Sequence, residues 1–561
     1  MILTSLFSIS ALLILPILSA FATGSGRRSA SGVPQDEPIP GNYSGPLRPQ
    51  IHFSPPIDFM NDPNGCFLDA DGTWHLYYQY NPTDLIAGNQ HWGHATSKDL
   101  YHWENQQIAI SPDNNTQQIF TGSAVVDVNN TSGFFPNQDN GVVAIYTVNT
   151  ATSQTQNIAY SVDGGFTFMK FEGNPVVSLD PPSTQFRDPK VIRYDDHWVM
   201  TVSYATDFVI GFFTSPDLKS WTHASNFSHH GLLGLQYECP NLVEVPVADS
   251  SDSMYLLIIS INPGAPQGGS ITQYLPGSFN GTHFQTVDDA ARLTDFGKDN
   301  YAGQFFYGTD SSSAIFIAWA SNWQYGQVVP TGPLEGWRSS MSIPRSISIA
   351  NVTATGWDLL NAPYNISSLF ATPLGNSSNL GNSNLKVDYS SIQSGAVYFQ
   401  VNVTNASGGG MLNFTFSSSN TQESVKGGFF FDGDFWLDRG RTNGFDNPFF
   451  TDKFSASNPI AASVSEKPVK LQGTFHFSDI GAFTLEAVID RTILEVFLDH
   501  GRNSATSTFF PTSPLDTLVV SAGDLGDDVV VSVVVWSLRD AWADMADPDG
   551  IVRGNATIIT T

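Results

Sequence analysis

Three carboxylates stand in settings unlike those of ordinary surface charges. Asp62 lies in Phe59-Met60-Asn61-Asp62-Pro63-Asn64-Gly65, Asp188 in Phe186-Arg187-Asp188-Pro189, and Glu238 in Tyr237-Glu238-Cys239-Pro240-Asn241. Each is flanked by an aromatic or apolar residue and has a proline within two positions, which points to partly buried, geometrically fixed acids near strand ends. A single Asp-Pro step reads as a turn; three such sites in one half of the chain read as a set. Converging carboxylates are the equipment of retaining glycoside hydrolysis: an ionised acid attacks the anomeric carbon, and a second, protonated acid roughly 5–5.5 Å away donates to the leaving oxygen. Asp62, with Asn61, Asn64 and backbone N–H groups close by, suits the anionic nucleophile. Glu238, between Tyr237 and Cys239, suits the donor.

Competing chemistries find less support. His91-x-x-His94 lacks the Glu and the third ligand of a zinc site, so neither metal nor cofactor is expected. His229-His230 has no partner pattern and reads as a loop. Ser161 to Phe168 matches the aspartate-box turn of sialidase-like propellers and is taken as a way of making a blade turn. No Gly-rich phosphate loop or nucleophile-elbow serine stands out.

The elements that must carry these acids are strands. Short runs rich in β-branched and aromatic residues, such as Trp74 to Tyr80, Val142 to Tyr146, Trp198 to Tyr204, Met254 to Ile259 and Ile315 to Trp319, alternate with Gly, Pro, Asn and Asp. They also repeat. Thr96-Ser97-Lys98-Asp99-Leu100-Tyr101-His102-Trp103 has a near copy in Thr214 to Trp221, and Ser161 to Phe168 and Phe279 to Phe284 share the strand-turn-aromatic shape. The closing aromatics Trp103, Phe168, Trp221 and Phe284 recur about every 60 residues, the period of a four-stranded propeller blade. Residues 50–347 then hold five blades, with Asp62, Asp188 and Glu238 in blades one, three and four. An Asn/Ser/Gly-rich texture assigns 348–370 to a linker. The remainder, 371–561, is again β: Phe483 to Ile489 and Thr492 to Leu498 alternate loosely, Val529 to Trp536 reads as a fully buried strand, and the whole fits a β-sandwich. The predicted fold class is all-β, a five-bladed propeller followed by a sandwich.

Seven motifs in one order carry a resemblance: Met60 to Gly65, Tyr78-Gln79-Tyr80-Asn81-Pro82, His91-Trp92-Gly93-His94-Ala95, Phe120-Thr121-Gly122-Ser123, Phe186 to Pro189, Glu238-Cys239-Pro240 and Ser321-Asn322-Trp323. With them, nearly the whole mature chain resembles the β-fructofuranosidases of glycoside hydrolase family 32: invertases, exo-inulinases and related fructosyltransferases. The resemblance implies the same propeller and sandwich, and retaining cleavage of terminal β-fructosides. It casts Asp62 as the nucleophile on C2 of fructose, Glu238 as acid/base, and Asp188 as the residue that holds fructose hydroxyls and favours the oxocarbenium-like transition state. Asn61, Gln79, Trp92, Phe120, Ser123, Arg187 and Trp323 are implied to line the fructose subsite. Two departures lie beside the nucleophile. Phe59 stands where the family commonly has Trp, and Cys66 where a Leu-like residue often follows the glycine.

Composition bounds the partners. The 561 residues carry 24 Lys+Arg against 52 Asp+Glu, a formal charge of −28, which disfavours nucleic acid and anionic lipid and favours neutral sugars. Ile2 to Ala22 is apolar or small and ends in Ala20-Phe21-Ala22, a secretory signal with its cleavage site; a membrane anchor is the competing reading. A leader follows over 23–49, with Arg27-Arg28 as a dibasic pair. Thirteen Asn-x-Ser/Thr sequons, Asn42 to Asn555, fit an N-glycosylated, extracellular or cell-wall protein. Two cysteines, Cys66 and Cys239, are read as buried thiols. Compact intervals between the acids favour sucrose over inulin, levan or transfer to a sugar acceptor. A catalytically silent sugar-binding protein is the non-enzyme alternative. Oligomeric state stays open, with a homodimer through the sandwich among the options.

Overall fold

The computed structural model describes residues 33–542, apart from 35, 311, 353–355, 407–408, 432 and 457–481, and also the backbone of 551–552. The signal and cleavage site at 1–22, Arg27-Arg28 and the Asn555 sequon lie outside the described residues.

Five sheets, antiparallel except where Trp337–Arg338 pairs parallel with Asp58–Leu68, make the N-terminal half. Their innermost strands are Asp58–Leu68 (blade I), Gln118–Val126 (II), Phe186–Tyr194 (III), Tyr237–Pro246 (IV) and Tyr301–Phe305 (V). Each of these strands touches the next, and the last returns to the first, so the ring is closed and the expected five-bladed propeller is present. The closing aromatics sit where the fourth strands begin: Trp103 opens Trp103–Asn105, and Phe284 opens Phe284–Thr286. The repeat has a hydrogen-bonding cause. Ser97 donates to Asp99 at 3.1 Å, Ser161 to Asp163 at 2.6 Å and Ser215 to Asp217 at 3.1 Å, and each Asp caps backbone N–H groups of the following turn. The aspartate-box segment is thus a blade turn, and its Gly165 carbonyl accepts from the Tyr77 hydroxyl of blade I.

All five inner strands bulge at their channel end. The register slips between Met60 and Pro63, Phe120 and Gly122, Arg187 and Lys190, Glu238 and Asn241, and Tyr301 and Gln304. A bulge frees residues from the ladder and re-aims their side chains. It also tolerates proline, which has no N–H to give. That is why Pro189 and Pro240 follow their acids, and why Asp188 and Cys239 take positive φ of 66° and 47°.

The predicted domain limits are corrected in two places. Strands Arg345–Val352 and Gly356–Pro363 complete blade V, so most of the expected linker is propeller and only residues 364–369 connect the halves. On these two strands Ile347, Ile349, Leu359 and Leu360 are buried. The leader beyond Val33 is also part of the body. Val33, Ile39, Tyr43 and Leu47 are buried, Tyr43 stacks on Trp542 at 4.0 Å, and the Arg48 guanidinium lies 4.3 Å from the Trp337 ring.

The C-terminal half is two six-stranded sheets face to face. Their inner faces share one core that includes Phe399, Phe414, Phe429, Val496, Val520 and Val533. Strand Val530–Leu538 alternates instead of being buried on both sides. Val531, Val533 and Val535 point inward and Val534 is 36% exposed, because an antiparallel sandwich sheet has only one core face.

Buried ions join the halves. Arg345 of blade V reaches Asp295 at 3.1 Å and Glu495 of the sandwich at 2.6 Å; His52 lies 2.8 Å from Asp490; Arg439 lies 2.6 Å from Asp299. Asp295 to Asn300 runs along sandwich strand Asn503–Thr508. Phe296 N–H donates to Ser504 O, Asp299 N–H to Thr506 O and Asn300 Nδ2 to Thr506 Oγ1, and Thr506 and Thr508 N–H groups donate to Asp295 and Asp299. Tyr301 is the next residue.

Candidate active site

The bulges bring the three predicted acids together around Cys239. Its backbone N–H donates to Asp188 Oδ2 at 3.0 Å, and its thiol sulfur lies 3.4 Å from Asp62 Oδ2 and 3.6 Å from Asp188 Oδ2. Glu238 is the preceding residue. Blades I, III and IV therefore each supply one carboxylate to a single point at the mouth of the ring.

Asp62 is 7% exposed. It accepts from Thr121 Oγ1 at 2.8 Å through Oδ2 and from Asn61 Nδ2 at 3.1 Å through Oδ1. Burial pushes its carboxyl up to about 6, Glu238 adds to the rise, and the Thr121, Asn61 and Cys239 donors pull against it. The donors expected to favour an anion are present, but burial outweighs them. Asn64, expected among them, faces away: its amide oxygen accepts from Gln79 N–H, Gln79 Nε2 and Trp92 Nε1 at 3.0, 3.0 and 3.3 Å. Burial likewise pushes Asp188 up to about 7; Arg187 opposes the rise, and Glu238 and Asp62 reinforce it.

Glu238 is held from two sides. Arg187 Nη2 and Nε donate to its Oε1 at 3.0 and 3.3 Å, and the Tyr301 hydroxyl donates to its Oε2. Arg187 is itself fixed by Gln236, Gln185 and Gln154 at 2.9, 3.0 and 3.4 Å. A carboxyl with both oxygens engaged by donors keeps one orientation, as proton delivery to a leaving oxygen requires.

The predicted lining residues divide. Asn61 and Arg187 touch the acids directly. Gln79 is one step removed, its Oε1 accepting from Gln90 Nε2 at 3.3 Å. Trp323 is half-buried against Phe59 and Trp319, with ring centroids 6.2 and 4.9 Å away, and forms an aromatic wall on the Asp62 side of the site. Phe120 is half-buried at the bulge of blade II. Trp92 and Ser123 need correcting. Both are 0% exposed; the Trp92 indole N–H donates to Phe120 O at 3.0 Å, and the Ser123 hydroxyl oxygen accepts from Val191 N–H at 3.0 Å. Their polar atoms brace the seams between blades I, II and III, and the groove-facing place in the blade II motif belongs to Thr121.

Residues missed in the sequence are Thr121, Tyr301, Gln90 and the role of Cys239. Tyr301 carries no mark in the sequence; only the structure shows that Arg187-Asp188-Pro189-Lys190, Glu238-Cys239-Pro240-Asn241 and Tyr301-Ala302-Gly303-Gln304 occupy the same bulge in successive blades. Cys66 and Cys239 are both buried free thiols. His94 packs in blade I, its Nε2 3.1 Å from His75 Nδ1, and among the described residues no three His, Cys, Asp or Glu side chains gather as metal ligands.

Comparison with known proteins agrees with this geometry. Residues 52–363 match the profile of the glycosyl hydrolases family 32 N-terminal domain, and 366–537 that of the family 32 C-terminal domain. Invertase 2 of Saccharomyces cerevisiae is 41% identical over 503 residues, covering 83% of this chain and 90% of that one. An extracellular exo-inulinase of Meyerozyma guilliermondii is 42% identical over 518 residues, covering 87% and 95%. The β-fructofuranosidase of Schwanniomyces occidentalis, solved with fructosyl-erythritol, superposes with a TM-score of 0.80 at 37% identity, covering 89% of this chain and 98% of that one. With matched profiles spanning both halves, and three acids meeting where the inner strands bulge, the chain belongs to glycoside hydrolase family 32.

Proposed function

We propose that this protein is a secreted, retaining β-fructofuranosidase that cleaves terminal non-reducing β-D-fructofuranosides, sucrose foremost. The convergence of Asp62, Asp188 and Glu238 around Cys239 carries the reading. Asp62 attacks C2 of the fructosyl unit while Glu238 protonates the departing glycosidic oxygen, giving a fructosyl ester on Asp62. Glu238 then takes a proton from water, which attacks C2 and releases fructose with its configuration retained. Thr121 and Asn61 steady the Asp62 carboxylate. Asp188 stands beside the anomeric centre, where its carboxyl oxygens hold fructose hydroxyls and favour the oxocarbenium-like transition state. Asn61 and Arg187 offer amide and guanidinium donors to fructose hydroxyls, with Gln79 behind them, and the half-buried Trp323 ring, backed by buried Phe59 and Trp319, offers an apolar face to the sugar's C–H surface.

Relatives of similar identity are named both invertases and exo-inulinases, so inulin and levan are the second substrate class. Secretion is supported by the apolar N-terminus, by an extracellular relative, and by sequon residues Asn42, Asn114, Asn226, Asn280, Asn365 and Asn402, all exposed. The test is glucose release from sucrose. Asp62→Asn should abolish it, and Glu238→Gln should reduce it most for substrates whose leaving group needs a proton. Unchanged release in Asp62→Asn would remove the assignment. Rates on sucrose, inulin and levan, with product analysis at high sucrose, rank the substrates and measure transfer.

A further inference from the structure

Gln90 is buried beside the acid cluster and belongs to none of the motifs that mark it. It is 4% exposed and directly precedes strand His91–Ser97 of blade I; its carbonyl accepts from Ile119 N–H of blade II at 2.9 Å, which pins its main chain across the seam. Its side-chain nitrogen faces two acceptors, Asn61 Oδ1 at 2.7 Å and Gln79 Oε1 at 3.3 Å. The amides therefore form a directional relay: Gln90 Nε2 donates to Asn61 Oδ1, and Asn61 Nδ2 donates to Asp62 Oδ1 at 3.1 Å.

From this geometry we infer that Gln90 is a positioning residue for the nucleophile, fixing which end of the Asn61 amide faces Asp62 and holding Gln79 in place with the same nitrogen. An amide has two ends of nearly equal size and opposite polarity. Left alone, Asn61 could turn its oxygen to Asp62, setting two acceptors against each other in a buried site. Gln90 prevents this by occupying the Asn61 oxygen from the far side. An apolar residue of the same length would fill the space equally well but could not select the orientation. Gln79 is caught similarly, its Nε2 spent on Asn64 and its Oε1 on Gln90, so one side chain orders two amides on the sugar side of blade I.

This inference rests on Asp62 being the nucleophile. Its consequence is read in the acid limb of kcat/KM, where Asp62 must lose its proton to work. The groups facing Asp62 are Asn61 of blade I, Thr121 of blade II, Asp188 and its neighbour Arg187 of blade III, Glu238 and Cys239 of blade IV, and Tyr301 of blade V. Replacing Gln90 leaves all of these in place and disturbs only the Asn61 donor, which lowers the Asp62 pKa.

The experiment compares the parent enzyme with Gln90→Met, which keeps length and loses both donors, and Gln90→Glu, which keeps shape and loses the N–H groups. Rates are normalised to folded protein. Both variants should lose roughly ten- to a hundredfold in kcat on sucrose, the scale of one hydrogen bond to a charged group. Both should also move the acid limb to higher pH, Gln90→Glu further because of its own charge. An acid limb that stays where the parent has it overturns the inference, whether or not the rate falls, since packing damage alone lowers rates without shifting a titration. Should Gln90→Met misfold, Gln90→Leu, which also loses both donors and adds no charge, takes its place, since the limb of Gln90→Glu also moves through its own carboxylate. Asp62→Asn, assayed alongside, separates the two layers: residual sucrose cleavage there removes the nucleophile assignment, whereas an inactive Asp62→Asn with an unmoved Gln90 acid limb removes only the relay.

Discussion

Arg187 Nη2 lies 3.0 Å from Oε1 of Glu238, so the residue next in sequence to Asp188 grips the carboxyl proposed as acid/base across the seam between blades III and IV. Two catalytic tasks thereby share one bulge. Arg187→Leu is expected to cut kcat on sucrose roughly ten- to a hundredfold. Arg187→Lys should recover only part, since a lysine keeps the charge without the fork. Tyr301→Phe, which removes the contact to the other oxygen, should cost less. An aryl fructoside, whose leaving group needs little protonation, should be less affected by all three. Equal losses on both substrates would deny a role in orienting Glu238.

The high proton affinity of Asp188 has a thermal signature. Its carboxyl is held up to about 7, whereas an unfolded Asp releases its proton near about 3.9. The folded state thus binds the extra proton between those values, and stability from this group is present below the lower value and lost as pH climbs through the upper one. Asp188→Asn should therefore inactivate the enzyme yet raise its Tm at pH 7 by roughly 1 °C for each ~1 kcal/mol gained, as expected for a protein of this size. The gain should shrink toward pH 4. Scanning calorimetry of both proteins across that window checks it.

Both thiols should be silent in the native state. Burial pushes the Cys66 thiol up to about 12 and raises Cys239 well above its ordinary value, with Asp62 and Asp188 adding to the latter. Iodoacetamide at pH 8 should label neither residue until the protein is unfolded, and then both. Labelling of Cys239 with loss of activity in folded enzyme would contradict the buried arrangement.

The junction between the halves should weaken in alkali. Burial alone would lower the His52 pKa, but Asp490 and Glu495 outweigh it and raise the imidazole to about 9, with Arg345 beside Glu495 as the other nearby cation. Stabilisation from a raised histidine is complete below the unfolded value of about 6.5 and is lost as pH rises through the folded value. Tm should fall between pH 6.5 and 9, and His52→Gln should flatten that slope. Arg345→Met, which strands Asp295 and Glu495 without their cation, should cost about 3–5 kcal/mol at any pH in this range.

Some of this was legible in the residues and some was not, for physical reasons. The blade repeat shows because the closing turns of blades I, II and III carry a Ser-x-Asp capping pair followed by an aromatic plug, as at Ser97, Asp99 and Trp103. The acids show because a carboxylate beside a proline in a strand-forming run is chemically conspicuous. Tyr301 does the same structural job in blade V with neither mark, its bulge being Ala302-Gly303, so nothing local singles it out. Trp92 and Ser123 fail differently. Membership of a motif does not say whether a side chain faces the groove or the neighbouring blade, since the direction is set by where each bulge slips its register. The end of the propeller is obscured because residues 320–344 intervene between the second and third strands of blade V, leaving its last hairpin in polar, loop-like sequence.

The run from Asp295 to Asn300 limits how this enzyme can be taken apart. Arg439, Thr506 and Thr508 of the sandwich secure it one residue short of Tyr301, which meets Glu238. The C-terminal half is accordingly no detachable appendage. A propeller cut at residue 364 would leave Asp295, Asp299 and Arg345 facing water from a surface built to be dry, with the strand that delivers Tyr301 untethered. Chimaeras that exchange sandwiches among relatives would transmit the mismatch to proton transfer, so the smallest inheritable unit of catalysis here spans both domains.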